Sequence, residues 1–319
     1  MRAVIIREPG GPEVLELAER DSPELPPLFV RVKVHAVGVN RADVMQRLGR
    51  YPAPAGVPAD IPGLEYAGEV VELGAGTTRF ALGDRVMGLV GGGGYAEEVV
   101  VHERETIRVP PEMDLIEAAA IPEVFLTAYD ALQQLRVRAG ERVLVHAAGS
   151  GVGTAAIQLL AWMGGVSVGT SRTESKLERA TALGLDEAIL VSDPDAFSDR
   201  FAPVHAVLDL VGGAYFKESL KSLAPRGRLL IVGLTSGVKS ELSLALMLRK
   251  RLTVTGTNLR SRPLEEKIAL VQDFDTRVSA VIGTRLKPVI DRVMPMDEVV
   301  ESHRVVESNV TFGKVILRW

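Results

Sequence analysis

The run Val143-Leu144-Val145-His146-Ala147-Ala148-Gly149-Ser150-Gly151-Val152-Gly153 decides how the chain is read. It opens as a short buried strand and passes through small residues into an apolar-periodic helix, with Val152, Ala156, Leu159, Leu160 and Met163 on one side. A strand, a glycine-rich turn and a helix N-terminus are the parts of a dinucleotide site. Small residues let the backbone approach a pyrophosphate, and the helix's unpaired N–H groups and positive dipole end bind its charge. The usual fingerprint is G-x-G-x-x-G. Here its positions are Ala148, Ser150 and Gly153, so only the last glycine is standard.

Working outward, a helix over 124–135 leads into this strand. Further strands follow at 167–170, 188–191, 206–211, 228–232 and 252–256, with helices such as 174–183, stopped by Gly184, and 214–223, before Pro225. Strands alternating with helices predict a doubly wound parallel sheet. Upstream, Val30, Val32 and Val34 alternate onto one face, and short strands follow at 68–73, 85–90 and 96–102. Gly74-Ala75-Gly76 and Gly83-Asp84 punctuate them, which predicts a small barrel-like β domain. Asn40 to Gly49 reads as a short helix closed by glycine. Residues 51–62 contain four prolines and predict an ordered but irregular loop. Gly91 to Gly94 reads as a flexible connection. Beyond Asn258 come a helix at 264–282, a strand at 289–293, a helix at 297–308 and a strand at 314–317, expected to rejoin the first domain. The α/β chain thus divides into 1–122, 123–258 and 259–319.

At 319 residues there is length for two domains, and 46% hydrophobic with 24% charged residues is ordinary globular composition. A net charge of −4 gives no reason to expect nucleic acid. No apolar run approaches bilayer-spanning length, and Met1 to Arg7 reads as a strand rather than a signal peptide, so a cytoplasmic protein off the membrane is expected. The absence of cysteine excludes disulfides, thiolate catalysis and cysteine-ligated zinc. The five histidines show no H-x-x-x-H spacing. His146, at the end of the first parallel strand, reads as a packed residue hydrogen-bonded to backbone.

The blocks Asn40-Arg41-Ala42-Asp43-Val44-Met45-Gln46-Arg47, Gly63-Leu64-Glu65, Ala118-Ala119-Ala120-Ile121-Pro122-Glu123, Leu126-Thr127-Ala128, Ser150 to Leu159, Leu259-Arg260-Ser261-Arg262 and Gly313 to Leu317 keep their order along the whole chain. Together they resemble the zinc-free quinone oxidoreductase branch of the medium-chain dehydrogenase/reductase family. That resemblance implies a GroES-like β-barrel catalytic domain, a Rossmann domain, NADPH, and a homodimer formed by pairing Rossmann sheet edges. Zinc-dependent relatives carry Cys and Gly-His-Glu where this chain has Asn40 and Gly63-Leu64-Glu65, so no metal is expected.

Cofactor choice is expected near the end of the second parallel strand, about 20 residues past the glycines. Ser171, Arg172, Thr173 and Lys176 suit the 2′-phosphate of NADPH by charge-assisted hydrogen bonds. Ser171 and Glu174 also fit an S-x-x-E capping box, with Thr173 capping in a shifted register. Ser192-Asp193 stands where relatives have a tyrosine, and an acid there opposes the phosphate. The resemblance further implies that Thr127, Ser150, Gly151, Val152, Gly153, Val211, Gly233, Leu234, Asn258, Asn309 and Lys314 bind the cofactor, and that Asn40 and Tyr51 face nicotinamide and substrate. The function it implies is hydride transfer to quinones or similarly activated enones. The alternatives are an enoyl-thioester or alkenal reductase, and a non-catalytic NADPH-binding redox sensor or structural protein.

Overall fold

The structure is a computed structural model and describes residues 1–319. Two compact units emerge, Met1–Leu126 with Leu259–Trp319, and Thr127–Asn258.

In the first unit, β1 (Arg2–Ile6) and β2 (Leu15–Glu19) pair antiparallel. β3 (Phe29–Val39) is the long central strand, and α1 (Arg41–Arg47) follows it. β4 (Glu65–Leu73), β5 (Arg85–Leu89), β6 (Glu98–His102) and β7 (Thr106–Arg108) build the sheet. Val30, Val32 and Val34 of β3 are buried as their alternation predicts, and pack with Val4, Tyr66, Val86 and Tyr95. α2 (Leu115–Ala118) and α3 (Pro122–Gln134) close this stretch.

The second unit carries β8 (Arg142–Val145), α4 (Gly151–Met163), β9 (Val166–Ser171), α5 (Glu174–Ala182), β10 (Glu187–Leu190), β11 (Val204–Asp209), α6 (Phe216–Ser222), β12 (Leu223–Ile231), α7 (Leu244–Lys250) and β13 (Thr253–Gly256). Its strands are parallel throughout, in the order β10-β9-β8-β11-β12-β13. This is the doubly wound Rossmann arrangement, and the order reverses between β8 and β11, where open α/β sheets bind ligands at their C-terminal ends. Leu144, Val168, Val207 and Leu229 form the apolar layer beneath.

The chain returns to the first unit with α8 (Leu264–Val278), β14 (Ile290–Pro295), α9 (Val299–Glu307) and β15 (Lys314–Arg318). β15 pairs antiparallel with β3 and parallel with β14, completing the order β14-β15-β3-β4-β5-β7, with β6 on β3 as well. A strand with partners at β15, β4 and β6 changes neighbours along its length, which bends the sheet into a barrel-like form.

The Gly91 to Gly94 run is not the flexible connection its composition predicts. Gly92, Gly93 and Gly94 are buried, and the N–H groups of Gly93 and Gly94 donate to Ile61 O and Gly63 O. A Cβ at Gly92 would lie 2.7 Å from Val57. Glycine serves here for close packing against the proline-rich loop.

Candidate functional site

β8 ends at Val145, and residues 146–150 turn the chain into α4. Ala147 adopts a left-handed φ of 51°, a conformation that costs an alanine energy. The Ala148 N–H donates to Thr170 O at 2.9 Å, tying the turn to β9. Ser150 caps α4, its Oγ accepting the Gly153 N–H at 3.1 Å. Position 153 demands glycine, because a Cβ there would sit 2.3 Å from Ala147 O. The turn therefore keeps its closest approach at Gly153 and uses a small side chain at 148 and a cap at 150. Gly151 and Val152 lie in the first turn of α4, where N–H groups have no intrahelical acceptor. That cradle fits a pyrophosphate.

Apart from Thr127 on α3, the other expected cofactor residues of this unit lie at the C-terminal ends of its strands or close after them. Ser171 closes β9, and Arg172 and Thr173 are exposed beyond it. The Ser171/Glu174 capping box does not form. Residues 172 and 173 are not helical, so Thr173 is the N-cap position of α5, while Ser171 pairs with Leu190 in the β9–β10 ladder and its Oγ accepts the Thr173 N–H at 3.1 Å. Lys176 sits half-buried in the first turn of α5. At the end of β11 the buried Asp209 accepts the N–H groups of Val211 and Gly212 on Oδ1, at 2.9 and 2.8 Å. Its carbonyl takes those of Val232 and Gly233. A Cβ at Gly233 would meet Leu210 O at 2.4 Å. Leu234 and Asn258 are exposed, and Thr127 is buried on α3.

His146 is packed as expected, but its partners are hydroxyls rather than backbone. Nδ1 lies 2.9 Å from Thr170 Oγ1 and Nε2 2.8 Å from Ser219 Oγ. Ser219 spends its proton on Tyr215 O at 2.7 Å, so Nε2 carries the imidazole hydrogen and Nδ1 accepts from Thr170. Phe197 and Tyr215 meet the ring edge-on. Burial lowers its pKa to about 4, against a smaller upward pull from Asp209.

In the first unit the structure brings Asn40 and Lys314 together around Glu65, a residue to which sequence reasoning gave no role. The ammonium of Lys314 donates to Asn40 Oδ1 at 2.5 Å, Glu65 Oε1 at 2.6 Å and Val39 O at 3.3 Å, which uses all three of its protons. Asn40 Nδ2 donates to Glu65 Oε1 at 2.9 Å and Gly38 O at 3.3 Å. Both amide protons are thus spent, and Asn40 can offer a ligand only its remaining Oδ1 lone pair. Glu65 Oε2 accepts the Glu123 N–H at 2.8 Å. Gly38 makes room for the pair, since a Cβ there would fall 2.1 Å from Glu65 Oε1. Asn40 is also the N-cap of α1, and its N–H is held by Asp43 Oδ2 at 2.8 Å.

Burial raises the Asp43 pKa to about 6, against the Asn40 N–H and the Lys314 charge. Glu123 is pushed up to about 8, by burial first and the Glu65 charge second. From Asp43 a chain runs through Tyr95 Oη (3.2 Å) to His303 Nε2 (3.4 Å), and from His303 Nδ1 to Arg47 Nη1 (3.3 Å). A guanidinium only donates, so Nδ1 accepts, Nε2 carries the hydrogen, and Tyr95 donates to Asp43. Asn309, which the resemblance also implies for the cofactor, is exposed at φ 58°, its Oδ1 accepting from Arg41 Nη2.

Tyr51 begins the proline-rich loop and lies under the Arg260 guanidinium, 4.9 Å from its ring centroid. Arg260 donates to Gly91 O at 2.6 Å, Tyr51 O at 3.0 Å and Gln46 Oε1 at 2.5 Å, and so locks the loop to α1 and to the glycine run. Glu65, Asp43, Glu123 and Arg260 all stood inside the quoted blocks. Their partnerships did not, because Lys314 is 249 residues from Glu65 and Arg260 is 214 from Gln46.

Residues 27–111 match the model described as the alcohol dehydrogenase GroES-like domain, and residues 151–274 the one described as zinc-binding dehydrogenase. A quinone oxidoreductase of Pseudomonas aeruginosa is 33% identical over 327 residues, covering 97% of this chain and 96% of that protein. A polyketide synthase of Streptomyces halstedii is 40% identical over 208 residues, 65% of this chain but 4% of the synthase, so the chain corresponds to a small part of that relative. The quinone oxidoreductase from Thermus thermophilus, solved also in complex with NADPH, is similar over the whole of both chains, with a TM-score of 0.86 at 34% identity. With the barrel-like β unit, the doubly wound unit and these matches in the same order, the chain belongs to the quinone oxidoreductase branch of the medium-chain dehydrogenase/reductase family.

Proposed function

We propose that this protein is an NADPH-dependent, zinc-free reductase that transfers hydride to quinones or similarly activated enones. The observation that carries the reading is the β8–α4 turn, where a Cβ at Gly153 would strike Ala147 O and the first turn of a 13-residue helix is left for a pyrophosphate. Ser171, Arg172, Thr173 and Lys176 supply hydroxyls and cations for a 2′-phosphate. Hydride transfer is the cofactor's own chemistry, and the protein's task is to hold and orient. Asn40, with only a lone pair to spare, accepts from the carboxamide NH₂ of nicotinamide, and Tyr51 donates to the substrate carbonyl. Zinc independence is supported by the chemistry at Asn40 and Glu65. The Lys314 ammonium already neutralises the carboxylate, and a metal ion there would face a fixed positive charge.

A homodimer fits the second unit. β13 is an edge strand with one partner, and α7, just before it in the chain, buries no residue, with Leu244 at 74% and Leu248 at 82% exposure. The second reading, an enoyl-thioester reductase, is favoured by the 40% identity to a polyketide synthase segment. Steady-state turnover with NADPH and with NADH, across a panel of benzoquinones, alkenals and enoyl thioesters, tests the assignment. The expected result is the highest kcat/KM with quinones and NADPH. A thioester preferred over every quinone transfers the assignment to the second reading, and an NADH preference removes the role given to Ser171 and Lys176.

A further inference from the structure

Glu123 is the one titratable side chain of the first unit's acidic cluster that makes no hydrogen bond of its own. Its backbone N–H is taken by Glu65 Oε2, but its carboxyl has no partner within the protein. It stands at the second position of α3, half-buried, one carboxylate away from the Asn40 amide, since Glu65 bonds Asn40 Nδ2 with one oxygen and the Glu123 N–H with the other. The groups acting on it come from every neighbouring element. Glu65 on β4 and Asp43 on α1 oppose its ionisation, while Lys314 on β15 and Arg260 past β13 favour it. Lys314 spends its three protons on Val39, Asn40 and Glu65, and Arg260 donates to Gln46, Tyr51, Pro52 and Gly91. Neither cation pairs with Glu123. An unpaired, half-desolvated carboxyl beside two acids keeps its proton, as its pKa near 8 reflects.

We propose that Glu123 is the general acid of the reaction, delivering its proton to the substrate carbon left negative by hydride transfer. The proposal rests on the reductase reading above. With an enone, hydride adds to the β-carbon, the C=C pair moves toward the carbonyl, and an enolate results. The Glu123 O–H bond then breaks, its proton adds to the α-carbon, and the carboxylate left behind regains a proton from water on its exposed side. With a quinone, the first product is a hydroquinone anion, whose oxygen takes a proton from water directly. Glu123 therefore matters most where the proton must go to carbon. A positioned acid contributes typically about 10²–10⁴-fold. As pH rises through about 8 the acid ionises and its rate contribution is lost.

The test compares wild type with the isosteric E123Q on an alkyl vinyl ketone and on a benzoquinone, each with NADPH, from pH 6 to pH 9.5. The infrared carboxylic-acid C=O band of both proteins is followed over the same range without cofactor. The wild type should show kcat on the ketone falling above about pH 8, and a carboxyl band that disappears over the same interval. E123Q should lack that band and that limb, and lose about 10²-fold in kcat on the ketone at pH 7, with quinone turnover far less affected and KM for NADPH unchanged. An active wild type with no basic limb on the ketone overturns the proposal. So does an E123Q that matches wild type on the ketone, or one that loses both substrates equally, which marks Glu123 as structural. A wild type inert to both acceptors sinks the reductase reading, and the acid with it.

Discussion

His146 and His303 are buried as neutral imidazoles, and they set how the protein meets acid. Burial holds their pKa values at about 4 and about 3, below the ordinary 6.5. The unfolded chain therefore binds protons more readily, and the stability these residues contribute is complete above about pH 6.5 and lost as pH falls through about 4. Asp43 and Glu123 run the other way. Their folded values are raised to about 6 and about 8, so their contribution is complete below the ordinary 3.8 and 4.5, and is lost as pH rises through the folded values. Because the two sets oppose each other, a single variant separates them. His146→Gln should be less stable than wild type at pH 7, since Thr170 and Ser219 lose well-placed partners, by about 1–3 kcal/mol. Between pH 7 and pH 4.5, however, it should lose on the order of 2 kcal/mol less than wild type does, each pKa unit being worth about 1.4 kcal/mol. Urea melts at the two pH values measure both quantities, and parallel losses would mean that His146 does not stay neutral.

Among the elements, the β8–α4 turn carries the strongest local constraint. Gly153→Ala places a methyl 2.3 Å from Ala147 O, backbone against backbone, with no side chain able to yield. The strand end and the helix must separate, at about 1–3 kcal/mol, and the pyrophosphate cradle opens with them. A lower melting temperature together with at least tenfold weaker NADPH binding, about 1.4 kcal/mol, is the expected outcome, read by thermal melts and fluorescence titration. Unchanged NADPH affinity would take the phosphate site away from this turn. The alternation of β3 and the strand–helix alternation after Val143 were legible in the sequence, because local periodicity decides them. So was the start of α5 at Glu174, but which residue caps it was not, because Ser171 and Thr173 both carry a capping hydroxyl. Nor was the packing of Gly91 to Gly94, where four glycines look alike whether they are loose or crowded. Asn40 and Lys314 were each readable as site residues from the resemblance. That they share one carboxylate, and that Asn40 has no proton left to donate, depended on contacts 25 and 249 residues long.

At the scale of the whole molecule, the exposed edge of the second unit makes the assembly testable. Leu248→Glu puts a charge on the exposed apolar face of α7 in the unit whose edge strand is β13. Sedimentation velocity should show wild type as a dimer and the variant as a monomer, with its secondary structure intact. A monomeric wild type would overturn the edge-pairing arrangement. Such self-pairing would also answer the general hazard that an unpaired strand edge invites aggregation. The return of the chain after Asn258 has a consequence in time. The second unit is one unbroken stretch, Thr127–Asn258, whereas the first waits for Leu259–Trp319. β3 cannot gain β15 until residues 314–318 have been made, some 275 residues after β3 itself. Arg260 likewise arrives long after the loop it locks. During synthesis residues 1–126 must therefore stand incomplete while the parallel-sheet unit that follows them, Thr127–Asn258, can already close on its own.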